Sequence, residues 1–417
     1  MSNEQNESQH TLATHEAIEQ AVRDSYGRLL AFLAARSHDV AAAEDALSDA
    51  FQSALETWPK SGVPDKPEAW LLVAARRRLI DVARHAQVHL DSVPKLLAAT
   101  EQAQRIADSS VLFPDERLEL LFVCAHPAID VRARTPLMLQ VVLGLDAARI
   151  AAAFLAKPST MGQRLTRAKA KIRATRIRFE IPEPKELPER LEFVLEAIYA
   201  AYGSGWEDVA GSDLRRKGLA AEAINLCRVL VELMPSEPEA MGLLALMLHC
   251  EARREARRDA QGAYVPLSEQ DVTRWSREMI TEAEHFLNEA SRIERMGRFQ
   301  FEAAIQSAHA MRVKTGHTDW EAVALLYEGL IRISPTVGAL VARAAAVGEA
   351  HGPVAGWRLL EAIPAEAISD YQPYWALSAN LLKRMGRPAE SAYNRAIGLC
   401  EDQAIRTFLS KETQRKG

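Results

Sequence analysis

The chain has 417 residues, of which 48% are hydrophobic, and a net charge of −5. At roughly 150 residues per domain, this length predicts two or three domains. The amino-terminal stretch carries no secretion signal, and no apolar run approaches the roughly 20 residues that span a bilayer. The four cysteines are too far apart for a CxxC metal-ligand pair, which favours buried thiols in a reducing compartment. We therefore expect a cytoplasmic protein, not a secreted or membrane-anchored one.

The secondary-structure pattern favours an all-α fold. Alanine and leucine dominate the apolar residues, and proline and glycine stand mainly at the ends of the periodic segments. Residues 1–14 form a polar leader that we expect to be disordered. The predicted helices that follow are 17–36, 40–58, 68–86, 114–125 and 131–143, and then a pair at 144–154 and 159–173. Asp39 is a predicted N-cap, and Pro67 stands where the third helix should begin.

The helix at 40–58 is acidic. No lysine or arginine lies between Arg36 and Lys60, and the predicted buried stripe consists of Ala46, Leu47, Ala50, Phe51 and Ala54. The acidic residues of this segment are Asp39, Glu44, Asp45, Asp49 and Glu56. Such a face suits a basic protein partner and repels DNA.

The helix at 68–86 is basic and aromatic. It carries Trp70 and four clustered arginines, which are Arg76, Arg77, Arg78 and Arg84. Cations beside an aromatic ring can hold an unpaired nucleic-acid strand by phosphate contact and stacking. Taken alone, the acidic and basic helices are better explained as solvated charged faces, but their order along the chain favours a function. Beyond them, the weak pattern at 91–112 predicts a tether between two helical units.

The segment from 144 to 178 has the outline of a helix-turn-helix whose second helix is basic. Its only anion is Asp146, against nine cations: Arg149, Lys157, Arg164, Arg167, Lys169, Lys171, Arg173, Arg176 and Arg178. The apolar residues expected to join the two helices are Ile150, Phe154, Met161, Leu165 and Ile172. Ser159 or Thr160 is expected to cap the second helix and to reach a phosphate. The residues expected to project from its solvent side are Gln163, Arg164, Arg167 and Lys169. A solvated basic helix that closes a bundle is the alternative.

The second half of the chain is predicted to be a separate helical array. Three prolines at 181–188 mark the boundary, and the net charge changes from +1 over residues 1–180 to −6 beyond them. Ala223, Cys227, Leu230 and Pro235 have the same spacing as Val323, Tyr327, Leu330 and Pro335, and they resemble the second helix of a tetratricopeptide repeat. We expect residues 251–262, EARREARRDAQG, to form a solvated helix end and loop, and a partner-binding role is the alternative.

Motifs of catalysis are missing from the sequence. It contains no GxxxxGK[ST], GxGxxG or HExxH pattern, so we expect no enzymatic activity, no cofactor and no metal. Cys124 and His126 are close in sequence, and we interpret them as a packed thiol and a capping imidazole, not as a metal pair.

Several motifs together resemble the extracytoplasmic-function group of bacterial sigma factors. Residues 43–51, AEDALSDAF, are similar to the region 2 helix that docks on the clamp helices of RNA polymerase. Residues 67–84, PEAWLLVAARRRLIDVAR, are similar to the segment that melts and reads the −10 element, and residues 118–173 are similar to region 4, which reads the −35 element. The helical tail resembles the subgroup with a C-terminal tetratricopeptide-like extension.

The resemblance implies region 2 at 15–90, a linker at 91–112, region 4 at 113–180 and the extension at 189–417. Its implied partners are core RNA polymerase, through the clamp helices and the flap, and promoter DNA. The implied polymerase-binding residues are Glu44, Asp45, Asp49 and Phe51. The implied DNA-binding residues are Trp70, Arg76, Arg77 and Arg84 in region 2 and Ser159, Thr160, Gln163, Arg164, Arg167 and Lys169 in region 4. Arg77 replaces a common asparagine and Ser48 a common glutamine of the group, so base preference at −10 does not transfer.

Two hypotheses on regulation and function remain open at this point. Burial of region 2 or region 4 against the C-terminal array is expected to keep the free protein inactive, and the array can also bind another protein. The alternative function is a one-component helix-turn-helix regulator or scaffold with a peptide-binding repeat domain. The pair of helices at 40–86 discriminates between the two functions, because a simple repressor has no need of it.

Overall fold

The computed structural model describes residues 25–85, 116–153, 156–183, 185–207 and 219–414. Within these ranges the chain forms helices and no β-strand, and one isolated antiparallel bridge joins Arg258 to Tyr264. The prediction of an all-α fold is therefore confirmed. No helix in the described ranges is long and apolar enough to cross a membrane. The expected leader at 1–14 and tether at 91–112 lie outside the described residues.

The fold divides into two compact units, Met1–Leu226 and Cys227–Gly417. The proline-rich segment at 181–188 was the predicted boundary, and no helix runs through it, since the next helix begins at Leu187. The first unit nevertheless extends beyond this segment. The helix Leu187–Glu207 packs against the two helices Arg117–Cys124 and Val131–Val141, which adds it to the first unit.

The first unit contains eight helices in the described ranges and part of a ninth. They are α1 at 25–37, α2 (Val40–Ser61), α3 (Pro67–His85), α4 (Arg117–Cys124), α5 (Val131–Val141), α6 (Ala147–Ala153), α7 (Pro158–Thr175), α8 (Leu187–Glu207) and the start of α9 (Leu219–Leu233). Asp39 caps α2 and Pro67 begins α3, as predicted. The α2 helix continues past Pro59 and ends before Gly62, whose positive φ of 86° interrupts the helical path.

The core of the first unit is apolar and close-packed. Its largest fully buried side chains include Phe32, Leu47, Trp58 and Phe122. A Cβ atom placed on Gly27 of α1 would lie 1.9 Å from the carbonyl oxygen of Val142, just after α5. The helices α1–α3 and α4–α7 therefore meet in direct backbone contact.

The second unit is a succession of helices that pack on their neighbours. They are α10 (Pro238–Ala252), α11 (Arg277–Ser291), α12 (Arg298–Ala310), α13 (Arg312–Thr315), α14 (Trp320–Ile333), α15 (Val337–Ala350), α16 (Pro353–Glu361), α17 (Gln372–Arg384), α18 (Glu390–Gly398) and α19 (Gln403–Gln414), with the end of α9. Three apolar clusters follow one another along α12–α19, centred on Val323, Leu360 and Tyr393. Core contacts between successive helices are typical of repeat-like arrays.

The prediction of a solvated segment at 251–262 holds for residues 259–262, which are exposed, and is wrong for most of 251–258. The α10 helix ends at Ala252, and the arginines that follow lie half-buried in and around a 3-10 turn at Arg254–Arg257. Arg253 donates to the side-chain oxygen of Gln306 at 2.9 Å, and Arg258 donates to Asp402 at 2.6 Å. Long arginine stems bury their methylene groups and reach distant acceptors, so this segment joins α10 to α12 and to the start of α19.

Candidate functional site

The acidic helix α2 buries one face and exposes the other. Asp39 accepts hydrogen bonds from the amides of Ala41 and Ala42, both at 3.1 Å, so its carboxylate stabilises the first turn. Of the predicted polymerase-binding residues, Asp45 is exposed, and Asp49 and Phe51 are half-buried. Phe51 was predicted to lie in the buried stripe, and it lies at the margin of that stripe.

A polar groove lies between α2 and α3. Its polar lining residues are Asp49, Gln52, Ser53, Glu56, Arg78 and Asp81. Arg78 donates to Asp49 at 2.7 Å, but both side chains are about half exposed, so solvent screens this pair and it adds little stability. Three carboxylates face a single guanidinium, which leaves the groove with an acidic surface suited to a basic partner.

The arginines of α3 do not share one environment. Arg77 and Arg78 are exposed, whereas Arg76 is only 1% exposed and lies in the core. Burial, and to a lesser degree the nearby charge of Arg36, lowers the pKa of Arg76 to about 10. The expectation that Arg76 lies on a DNA-binding surface is therefore corrected, because its position on the helix points it inward.

Trp70 is half-buried, and its ring meets the ring of Trp58 edge-on at 5.5 Å. This contact fixes the start of α3 against the end of α2. Arg84 belongs to α3, but its side chain lies outside the described residues.

The helices α6 and α7 pack together as a helix-turn-helix requires. Ile150, Met161, Leu165 and Ile172 are buried, and Phe154 lies outside the described residues. The Asp146 carboxylate caps α6 by accepting hydrogen bonds from the next backbone amides.

The predicted cap of α7 is wrong. This helix begins at Pro158, after Lys157, and no side chain caps it. Proline at the first helical position needs no partner for an amide hydrogen, and its fixed φ suits the helix. Ser159 and Thr160 are both exposed at this end, where neither caps the helix.

A basic cleft lies between α7 and the start of α5. Its polar lining residues are Asp130, Arg132, Thr160, Gln163, Arg164, Arg167 and Lys171. The Arg164 guanidinium donates to the carbonyl oxygen of Arg132 at 3.4 Å, which holds it at the cleft. Arginine and glutamine side chains in such a cleft suit base edges and phosphates. Arg132 was not predicted as a residue of this cleft. The sequence feature that could have indicated it is its position two residues after Asp130, the N-cap of α5.

Lys169 lies on a different flank of α7 from the cleft. Its Nζ donates to Glu44 Oε2 at 2.5 Å, and its side chain is 14% exposed. One turn later, Arg173 Nε lies 3.2 Å from Asp39 Oδ2. The sequence predicted Lys169 on the solvent side of α7, but the structure pairs it with the acidic helix α2. Glu44 is likewise held in this pair and is not open to solvent like Asp45.

Cys124 and His126 have the structural roles predicted for them. Cys124 is fully buried, which raises the pKa of its thiol. His126 Nδ1 accepts a hydrogen bond from the amide of Ala128 at 3.0 Å, and burial lowers the pKa of its imidazole. Among the described residues, no group of three or more His, Cys, Asp or Glu side chains is placed to hold a metal ion.

Two family models match the chain. Residues 21–88 match sigma-70 region 2, and residues 190–291 match a family of unknown function, DUF6596. An uncharacterized protein of Rhizobium meliloti (strain 1021) is 38% identical over 399 residues, which cover 94% of this chain and 93% of that protein. No solved structure matches the chain.

The helices α1–α3 thus form a sigma-70 region 2 domain, which suggests a role in transcription initiation, and the described part of the chain beyond it is also helical. The chain belongs to one family with the Rhizobium protein, with which it shares nearly its whole length. A region 2 domain implies core RNA polymerase and promoter DNA as partners.

Proposed function

We propose that the protein is a sigma factor of the extracytoplasmic-function type, which binds core RNA polymerase and directs recognition of −10 and −35 elements. The observation that carries the proposal is the presence, on one chain, of region 2 with an acidic groove and of a basic cleft on α7. Its action is recruitment and not catalysis, and it takes place in the cytoplasm.

The polymerase-binding surface in this proposal is the acidic side of α2. Asp45 is exposed, and Asp49 lies at the groove shared with α3. Carboxylates in this arrangement attract a basic partner and orient it. Phe51, the fourth residue of this proposal, is half-buried at the margin of the buried stripe and lies on a different side of α2 from Asp49.

The DNA-binding surfaces are separate. In region 2, exposed Arg77 and half-buried Trp70 face the −10 strand in this proposal. In region 4, the side chains of Gln163, Arg164 and Arg167 enter the −35 major groove from the basic cleft, with Ser159 and Thr160 at phosphates. The C-terminal helices form a tetratricopeptide-like array that regulates the factor or binds a protein partner, and the support for this is their successive apolar clusters.

The docking step is tested by charge reversal. Because like charges repel, Asp45→Arg with Asp49→Arg is expected to abolish pull-down of core RNA polymerase. The matched control is Glu361→Arg with Glu366→Arg, which reverses two exposed charges of the second unit. Run-off transcription with core polymerase and a genomic promoter library then reads the promoter directly. Undiminished polymerase binding by the Asp45 and Asp49 variant, or no promoter-dependent transcript from the wild-type protein, would refute the proposal.

A further inference from the structure

The first turns of α2 hold one flank of the recognition helix α7. Glu44 and Asp39 pair with Lys169 and Arg173 at 2.5 and 3.2 Å. The Glu44 side chain is 17% exposed, so water screens its bond to Lys169 only in part. The Tyr26 hydroxyl also lies within 3.5 Å of Glu44, which fixes this carboxylate from the side of α1.

The paired cations occupy a distinct strip of α7. Lys169 and Arg173 are one turn apart and share a flank, whereas Gln163, Arg167 and Lys171 line the basic cleft. A recognition helix in the major groove has a phosphate backbone along each flank, because the groove is only about 12 Å wide. In the present structure, the two anions that pair with this flank are the Asp39 and Glu44 carboxylates.

We infer that α2 is an internal substitute for the DNA backbone, so that region 2 and region 4 mask each other in the free protein. The Glu44 carboxylate encloses Lys169, and the Asp39 carboxylate neutralises Arg173, whose side chain stays 70% exposed on the same flank of α7. In return, Lys169 covers Glu44 on the acidic helix that docks on polymerase. This inference rests on the proposed function, and it names the segment of the same chain that regulates both surfaces.

Further contacts support the masked arrangement. Arg36 of α1 donates to Glu116, before α4, at 2.8 and 3.0 Å, and the ring of His38 meets the ring of Phe179 at 5.8 Å. The −10 and −35 elements lie about 25 base pairs apart, or about 85 Å at 3.4 Å per base pair. Helices α2 and α7 are in direct contact, so both elements cannot be read at once until the two modules separate.

The test neutralises the two carboxylates in the full-length chain. Asp39→Asn retains the N-cap of α2, and Glu44→Gln retains the side-chain size. Spin labels at Thr57→Cys and Ala174→Cys, both exposed, report the distance between α2 and α7. We expect the double variant to lengthen this distance and to bind a short duplex oligonucleotide about threefold to tenfold more tightly than wild type at equal salt. The matched control, Asp65→Asn with Glu192→Gln, neutralises two exposed carboxylates outside the pairs and is expected to change neither quantity.

Exchanging the charges of Glu44 and Lys169 distinguishes loss of this ion pair from misfolding of a variant. Glu44→Lys and Lys169→Glu are each expected to lengthen the label distance, and the two together to restore it. Unchanged distances in all of these variants, with a helical circular-dichroism signal like that of wild type, would overturn the inference. If the variants open but the wild type gives no transcript with core polymerase, masking stands and the proposed function falls. If the wild type gives promoter-dependent transcripts and no variant opens, the proposed function stands and the masking inference falls.

Discussion

Two neighbouring arginines of α3, Arg76 and Arg77, differ in burial and therefore in their expected roles. Arg76 lies in the core, and Arg77 is exposed one position later. We expect Arg76→Ala to lower the free energy of unfolding by about 3 kcal/mol, because it leaves a cavity and deprives buried groups of a partner. Arg77→Ala is the matched control, and it should change stability by less than about 0.5 kcal/mol while weakening binding of a single-stranded −10 oligonucleotide. Urea unfolding and an oligonucleotide titration measure the two effects, and equal stability of both variants would contradict this assignment.

His249 makes the stability of the second unit depend on pH. It is 3% exposed, and burial, with a smaller effect of Arg253, lowers its pKa to about 4, although Glu284 lies 3.5 Å from its Nε2. Between pH 6.5 and about 4, the unfolded chain binds a proton at this site that the folded chain does not, so stability falls as the pH falls. The loss reaches roughly 3 kcal/mol near pH 4.

Urea unfolding at pH 7 and pH 5 measures this dependence. We expect His249→Gln to flatten it, because glutamine does not titrate, whereas His317→Gln at an exposed position should leave it unchanged. His309, whose pKa burial and nearby arginines also lower to about 4, adds to the same trend. A slope that is equal in wild type and His249→Gln would show that another group is responsible.

At the level of elements, α8 packs on α4 and α5 and belongs to the same unit. The Arg134 guanidinium of α5 lies 4.5 Å from the ring centre of Phe193 of α8, and Arg117 of α4 forms an ion pair with Glu222 of α9. A chain that ends at Arg178 loses both contacts and exposes the faces of α4 and α5 that α8 covers. We expect such a truncation to lower the thermal unfolding temperature of the helix-turn-helix, and Phe193→Ala in the full chain to cost about 2 kcal/mol.

The conservative variant Phe193→Tyr keeps the ring and should retain most of this stability. A truncated protein with an undiminished unfolding temperature would argue against the role of α8. Altered transcription by the truncated protein therefore does not by itself reveal regulation by the C-terminal helices, because the packing of α4 and α5 is changed as well.

The sequence predicted helices well where local chemistry decides them. Asp39 and Pro67 mark the starts of α2 and α3 through capping and a fixed φ, which act within a few residues. The cap of α7 was predicted wrongly because Pro158 begins the helix one residue earlier, which places Ser159 and Thr160 inside its first turn. The partial burial of Arg253 and Arg258 was missed because their acceptors, Gln306 and Asp402, are distant in the sequence.

At the level of the whole molecule, the spacing of apolar residues predicted the helical array but not its division. Leu230 and Leu330 are both buried in helices that end shortly before Pro235 and Pro335, as the repeated spacing indicated. The boundary between the units was predicted at 181–188, because three prolines in eight positions were expected to interrupt any helix there. The division of the units depends instead on which helices pack together, and this is a property of tertiary contacts that no local signal carries.

The same limit applies to the candidate site. Composition and motifs located the acidic and basic helices, but charge alone does not say which lysine faces DNA and which faces a glutamate. Lys169 and Glu44 are 125 positions apart, and only the fold brings them together. Lys171 and Arg132 reach the basic cleft for the same reason.

Gly27 of α1 lies so close to the Val142 carbonyl group that no side chain fits at this position. The interface between α1–α3 and α4–α7 therefore has a steric requirement in addition to its ion pairs. Ion pairs between α2 and α7 weaken gradually as salt rises, whereas the contact of Gly27 with the Val142 carbonyl group has no charge to screen. Even one methyl group at position 27 would collide with this carbonyl group and push α1 away from the end of α5. The packing of helices α1–α3 on helices α4–α7 thus depends on the absence of a side chain as much as on the presence of charges.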